Sequence, residues 1–132
     1  MRNEESVQSN PTMKESIVKD KSVRFAIRVV RLYRYLKEER NEYILSKQLV
    51  RSGTSIGANI SEAQRAQSQA DFAAKMYIAL KEAEESAYWI LLLKEAEYIT
   101  EKEYESVCAD CEELVKLLTA ITKTVAPRNS KR

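Results

Sequence analysis

The sequence predicts an all-α protein, and specifically an antiparallel, up-down-up-down four-helix bundle. Alanine, leucine, glutamate, lysine, arginine and isoleucine together make up more than half of the chain, which favours helix. Apolar residues recur at helical spacing in four stretches, and no stretch shows the alternation of a β-strand. Only two glycines and two prolines occur, so the chain has few turns. Four helices joined by short links pack as antiparallel neighbours.

The length of 132 residues predicts one domain, which we place at residues 14–126. Residues 1–13 are polar and aperiodic, so we expect a disordered lead. Pro127 ends the last helix and leaves a basic tail at residues 127–132. The four helices are predicted at about 16–39, 44–67, 69–97 and 101–125.

The first helix has a core face, a basic face and a third, apolar strip formed by Val23, Ile27 and Val30. Its core face consists of Val18, Ser22, Phe25, Val29, Leu32, Tyr33 and Leu36. A second face, which we call the basic stripe, consists of Lys21, Arg24, Arg28, Arg31 and Tyr35. Residues 14–40 hold nine Lys/Arg against four Asp/Glu, a net of +5, so this stripe is a candidate contact for phosphates. The alternatives are a solvated face, or ion pairs with acidic helices of a neighbouring subunit.

The second helix contains both glycines of the protein, Gly53 and Gly57. Because a glycine inside a helix costs about 1 kcal/mol relative to alanine, we predict that another helix approaches closely here. Small polar residues lie beside them and either bind a ligand or hydrogen-bond across helices. The partner of Arg51 is left open between Glu62 and a neighbouring subunit. The whole helix-packing motif, here called the glycine motif, comprises Ser52, Gly53, Ser55, Gly57, Asn59 and Glu62.

Local capping signals start the third and fourth helices. Ser68 precedes an acidic residue, Asp71, at the third helical position, and Thr100 with Glu103 forms a capping box. The predicted inner face of the third helix is Phe72, Met76, Leu80, Ala83, Ala87 and Ile90. That of the fourth is Tyr104, Val107, Cys111, Leu114, Leu118, Ile121, Thr122 and Val125.

Some apolar residues fall outside these core faces. A monomeric bundle would leave them in water, and such residues usually mark interfaces, so we predict a homo-oligomer. We call these residues the off-core set, and they are Val23, Ile27, Val30, Ile78, Trp89 and Leu93.

Six stretches of this chain match a known pattern, and they are FAIRVVRLYRYL (25–36), LSKQL (45–49), RSGTSIGANISEA (51–63), Asp71-Phe72, ALKEA (79–83) and Tyr88-Trp89. They resemble the four-helix-bundle proteins encoded in intervening sequences of bacterial 23S rRNA genes. The resemblance covers about residues 15–125 and implies a ring-shaped homopentamer. A more distant similarity is to the accessory protein of diversity-generating retroelements, a pentameric bundle that partners a reverse transcriptase and binds nucleic acid. RNA or DNA, and a reverse transcriptase or another protein, are therefore candidate partners.

Catalytic chemistry has little support in these residues. The chain has no histidine, which removes the usual imidazole base. Cys108 and Cys111 form half of a zinc set and lie in mid-helix, so we interpret them as free buried thiols. The pairs Glu82/Glu85 and Asp110/Glu113 resemble the magnesium ligands of all-helical hydrolases, but solvated acidic faces explain them better.

We therefore predict a non-enzymatic, homo-oligomeric bundle without cofactor or metal that contacts RNA or DNA through the basic stripe. The alternatives are an interaction scaffold that binds no nucleic acid and, less favoured, a magnesium-dependent hydrolase. No secretory signal or membrane span is visible, so we place the protein in the cytoplasm.

Overall fold

The computed structural model describes residues 11–125, which form four α-helices with no strand among them. The prediction of an all-α four-helix bundle is confirmed. Most of the predicted lead and all of the tail lie outside these residues. The helices are α1 (Met13–Arg40), α2 (Leu45–Ala63), α3 (Gln69–Glu95) and α4 (Glu101–Val125).

Helix α1 begins three residues earlier than predicted because Thr12 caps it. The Thr12 hydroxyl accepts from the Glu15 amide at 3.1 Å, and the Glu15 carboxylate accepts from the Thr12 amide at 3.2 Å. This reciprocal capping box satisfies donors that a helix start leaves open. The predicted disordered lead is therefore too long at its C-terminal end.

A buried carboxylate lies in the segment that links α1 to α2. Asn41 adopts the left-handed conformation (φ 55°) that ends α1. Next to it, buried Glu42 accepts hydrogen bonds from the backbone amides of Ile44, Leu45 and Ser46 at 3.1, 2.7 and 2.9 Å. An anion suits the positive end of a helix, so Glu42 fixes where α2 starts.

Two predicted helix ends are wrong by a few residues. Helix α2 ends at Ala63 rather than 67, because Arg65 and Ala66 make tighter i→i−3 hydrogen bonds of 3.1 and 3.0 Å. Helix α3 ends at Glu95 rather than 97, because Glu97 has a positive φ of 66°. The Tyr98 amide then bonds back to the Leu93 carbonyl at 2.9 Å.

The capping residues predicted for α3 and α4 are confirmed. The Ser68 hydroxyl accepts from the Asp71 amide at 3.0 Å. The Thr100 hydroxyl accepts from the Glu103 amide at 3.1 Å, while the Glu103 carboxylate accepts from the Thr100 amide at 2.8 Å. Both signals are local in sequence, which is why they could be recognised without the fold.

Of the four neighbouring pairs of helices, α2 and α3 pack together most extensively, and α1 and α4 least. Along each pair of neighbouring helices, the contacting residues rise in number on one helix as they fall on the other, as expected for antiparallel helices. Two contacts define the register of each pair. They are Ser22–Gly57 and Phe25–Gly53 between α1 and α2, Glu62–Lys75 and Arg51–Glu85 between α2 and α3, Ala83–Cys111 and Lys94–Glu101 between α3 and α4, and Lys21–Glu113 and Arg28–Asp110 between α1 and α4.

The buried side of α3 differs from its predicted inner face. Phe72, Leu80 and Ala87 are only half-buried. The buried positions of α3 recur at slightly less than 3.6 residues, so the buried side turns around the helix along its length. This corrects Leu93, which we had assigned to the off-core set and which is fully buried. The buried residues are Ala73, Met76, Ala79, Ala83, Ser86, Ile90 and Leu93.

Among residues 11–125, no helix is long and apolar enough to cross a membrane.

Candidate functional site

The glycine motif brings α1 against α2. A Cβ atom at Gly53 would lie 2.8 Å from a Val29 methyl and 3.4 Å from the Phe25 ring. At Gly57 it would lie 3.0 Å from the Ser22 hydroxyl oxygen. Neither glycine has a positive φ, so both are needed for space rather than for backbone conformation.

Of the polar residues in the glycine motif, Ser52 makes the cross-helix hydrogen bond. Its hydroxyl and that of Ser86 on α3 hydrogen-bond to each other at 2.8 Å, and both are buried. Ser55 and Asn59 instead donate to carbonyls one turn earlier on their own helix, at 2.8 and 2.9 Å. Glu62 lies 3.9 Å from Lys75. The motif is therefore built for helix packing.

Arg51 pairs with α3 of its own chain, not with Glu62 as one of our alternatives had it. Its guanidinium lies 2.5 Å from Glu85 and 3.7 Å from Glu82. The Trp89 indole also donates to Glu85, at 3.0 Å. This hydrogen bond and the neighbouring Arg51 lower the pKa of Glu85, so its carboxylate stays ionised.

The two carboxylate pairs considered as magnesium ligands face different neighbours. Glu82 and Glu85 face Arg51 on α2, as described above. On α4, Asp110 lies 2.7 Å from Arg28 and Glu113 lies 3.1 Å from Lys21. No group of three or more candidate metal-ligating side chains occurs within residues 11–125. These carboxylates act as partners for cations.

The two thiols are held in the protonated form. Burial raises the pKa of Cys111 to about 12, and its thiol donates to the Ala83 carbonyl at 3.2 Å. Cys108 is half-buried, and burial raises its pKa as well. Because the thiolate is the nucleophile and the metal ligand, this environment disfavours both roles.

The structure divides the basic stripe into two parts. Lys21 and Arg28 are engaged with α4, and Arg28 also donates to the Ser106 hydroxyl and carbonyl at 2.6 and 3.3 Å. Arg24 and Arg31 are exposed, and no carboxylate of the described residues lies within 4.0 Å of either. Tyr35 is exposed one helical turn beyond Arg31. The available part of the stripe is thus Arg24, Arg31 and Tyr35.

A groove opens between α1 and α4, the neighbouring pair of helices that packs least extensively. Its volume is about 330 Å³. A second cavity of about 390 Å³ shares Tyr35, Ile99 and Glu103 with it and extends towards Arg40 and Lys94. The groove is lined by Arg28, Arg31, Leu32, Tyr35, Ile99, Glu103 and Val107.

Residues 14–120 match the family model described as 23S rRNA-intervening sequence protein. The chain belongs to this family. It is also similar to a crystal structure of a protein with unknown function from the S23 ribosomal protein family of Bacteroides thetaiotaomicron VPI-5482. The two are 57% identical with a TM-score of 0.83, over 84% of this chain and 99% of that chain. None of the curated proteins compared with the chain matches it.

In this member of the 23S rRNA-intervening sequence protein family, most of the off-core set is accessible. Val23, Ile27 and Val30 are exposed along the outer side of α1, with Ile27 at 46%, and Ile78 is exposed on α3. Trp89 is half-buried, and its indole N–H donates a hydrogen bond to Glu85. Leu93 is not available to a partner because it lies in the core.

Sequence reasoning missed three groove residues of this family member: Ile99, Glu103 and Val107. They come from the α3–α4 link and the start of α4, far along the chain from the basic stripe. Glu103 was recognised only as a cap and Val107 only as core. An antiparallel arrangement of α1 and α4 is the one signal that places them near Tyr35.

Proposed function

We propose that this chain is a non-enzymatic, homo-oligomeric bundle that binds single-stranded RNA through Arg24, Arg31 and Tyr35. The observation that carries the proposal is the exposure of the two arginines on one side of α1, without a carboxylate partner in residues 11–125. Arginine is well suited to phosphate because its planar fork of donors matches the oxygens of the anion.

Self-association is part of the proposal. Val23, Ile27 and Val30 form an exposed apolar strip on α1, and such strips usually mark interfaces. The pentamer number comes from the family resemblance alone. In a ring, each subunit repeats Arg24 and Arg31, so weak phosphate contacts add through multivalency.

The environment of the acidic and thiol groups supports a non-enzymatic role. Both carboxylate pairs lie against cations, and both thiols have raised pKa values. A catalytic centre would instead expose a base or a nucleophile in a pocket.

One observation favours the alternative, a protein-interaction scaffold that binds no nucleic acid. Two of the four cations of the basic stripe, Lys21 and Arg28, already pair with α4 carboxylates. These carboxylates would repel a polyanion that approaches the same edge of the bundle. Measurements of RNA binding separate the two functions.

The test is fluorescence anisotropy of a labelled single-stranded RNA with wild type and with an Arg24→Glu/Arg31→Glu variant. The matched control is Lys81→Glu/Lys116→Glu, which makes the same charge change at exposed lysines of α3 and α4. We expect a large loss of affinity in the first variant and a small one in the control. Equal losses, or no binding by the wild type at low salt, would contradict nucleic-acid binding and favour the scaffold.

The salt dependence tests how many cations take part. For single-stranded nucleic acid, each neutralised phosphate contributes about −0.7 to the log–log slope. Two free arginines per contacting subunit therefore predict a slope near −1.4. The whole basic stripe, with four cations, would give a slope near −3. Sedimentation velocity on the same samples checks that the oligomer is intact.

A further inference from the structure

The groove between α1 and α4 combines an apolar lining with an aromatic ring. Leu32, Ile99 and Val107 contribute apolar side chains, and Tyr35 contributes the ring. Its volume of about 330 Å³ lies at the low end of the roughly 300–1,000 Å³ typical of small-molecule sites. The groove is therefore of a size for one small planar ring system rather than for an extended chain.

Charge determines which part of a nucleotide fits inside. Glu103 lines the groove, and one of its oxygens accepts from the Thr100 amide at 2.8 Å. A phosphate inside would meet this carboxylate at short range and be repelled. A neutral base has no such penalty, and Arg31 at the same groove can hold the phosphate attached to it.

One wall of the groove is held in place before any ligand arrives. The Arg28 guanidinium is fixed by Asp110 at 2.7 Å and by the Ser106 hydroxyl at 2.6 Å. A fixed guanidinium plane and an aromatic ring are both surfaces on which unpaired bases stack. Little ordering is then required when a base enters, which favours binding.

We infer that this groove receives one unstacked base of single-stranded RNA, which stacks on Tyr35 while its phosphate contacts Arg31. The inference rests on the proposed function and specifies which part of the nucleotide each residue binds. Stacking tolerates any base, so it adds affinity for single strands without a sequence code. A duplex, whose bases are already stacked and paired, gains nothing from the groove.

The test compares a labelled single-stranded RNA with an abasic strand of the same length and charge, by fluorescence anisotropy. Wild type is expected to bind the base-bearing strand roughly tenfold more tightly, the order of one stacking contact. Tyr35→Ala should remove this preference. The matched control is Tyr77→Ala on α3, because Tyr77 is 41% exposed and Tyr35 is 42% exposed.

A second variant, Val107→Met, adds volume to the groove lining without adding an aromatic surface, leaves Tyr35 in place and should also weaken the preference. Thermal melts and sedimentation of each variant confirm that fold and assembly are intact. Suppose that wild type binds both strands equally and that Arg24→Glu/Arg31→Glu weakens this binding. That result would overturn the base site but leave the proposed function standing. Failure to bind either strand would overturn both.

Discussion

Helix α2 is packed closely against both of its neighbours, whereas α1 and α4 meet along an open seam bridged by long charged side chains. Against α1, Gly53 leaves no room for even a Cβ atom beside Val29. Against α3, two buried serine hydroxyls meet at 2.8 Å. Between α1 and α4, ion pairs such as Arg28–Asp110 span the gap, and a groove of about 330 Å³ remains.

The difference shows that the length of the side chains between two helices determines how closely the helices pack and whether room for a ligand remains. Glycine and serine let helix backbones approach closely, so the seam is filled and any added atom must displace a neighbour. Arginine, lysine and glutamate hold their helices apart and leave volume that a ligand can occupy. We therefore expect substitutions in the seams of α2 to act on stability, and substitutions in the α1–α4 seam to act on binding.

The largest expected effect on stability is that of Gly53→Leu. The new side chain has to displace Val29 and Phe25, so we expect a loss of about 1–3 kcal/mol in the free energy of unfolding. Urea denaturation measures it, with Ala58→Leu on the exposed side of α2 as the control. Gly57→Leu should also destabilise the bundle. Unchanged melting of both glycine variants would mean that α1 does not approach α2 as described.

The serine pair between α2 and α3 should give the next largest effect. Ser52→Ala leaves the buried Ser86 hydroxyl without this partner, at a cost of about 1–2 kcal/mol. Replacing both serines with alanine should cost less than the sum of the two single variants. A double-mutant cycle by chemical denaturation measures the coupling, and strict additivity would show that the two hydroxyls do not interact.

The α3–α4 seam can be tested through pH. Burial raises the pKa of Cys111 to about 12 in the folded protein, above its ordinary value of 9.0. Its contribution to stability is therefore complete below about pH 9 and is lost as the pH rises towards 12. At pH 10 the loss should be on the order of 1 kcal/mol. In Cys111→Ala, the free energy of unfolding should decline less steeply above pH 9. Identical pH profiles for the wild type and this variant would show that the thiol is not buried as described.

The smallest stability effect is expected in the open seam. Arg28 and Asp110 are partly exposed, with 38% and 50% of their side-chain surfaces accessible, and such pairs contribute about 0.2–1 kcal/mol. Arg28→Ala should therefore lower the free energy of unfolding by less than about 1 kcal/mol, and by less still at high salt. A loss as large as that of Gly53→Leu would remove the distinction between the two kinds of seam.

The features predicted correctly from sequence are those encoded locally. The four helices follow from apolar spacing, the starts of α3 and α4 from their capping residues, and the close approach at α2 from its two glycines. Glu42 could have been recognised in the same way, since an acidic residue just before a helix suits its positive end.

What the sequence did not reveal depends on contacts between distant residues. Lys21 and Glu113 are far apart in the chain, so nothing local indicated that α4 would neutralise half of the basic stripe. Arg51 likewise had no local sign of its partner Glu85. Leu93 was misplaced because a spacing of 3.6 residues was extended along a helix whose buried side turns as it packs between two neighbours.

The most direct test of the account is hydroxyl-radical footprinting of the tyrosines, with and without single-stranded RNA. Tyr35, Tyr43, Tyr77 and Tyr88 are all exposed, and only Tyr35 lies at the α1–α4 groove. We expect RNA to lower the oxidation of Tyr35 relative to that of the other three tyrosines. Equal protection of all four, or protection of Tyr77 or Tyr88 alone, would contradict the assignment of binding to the open seam.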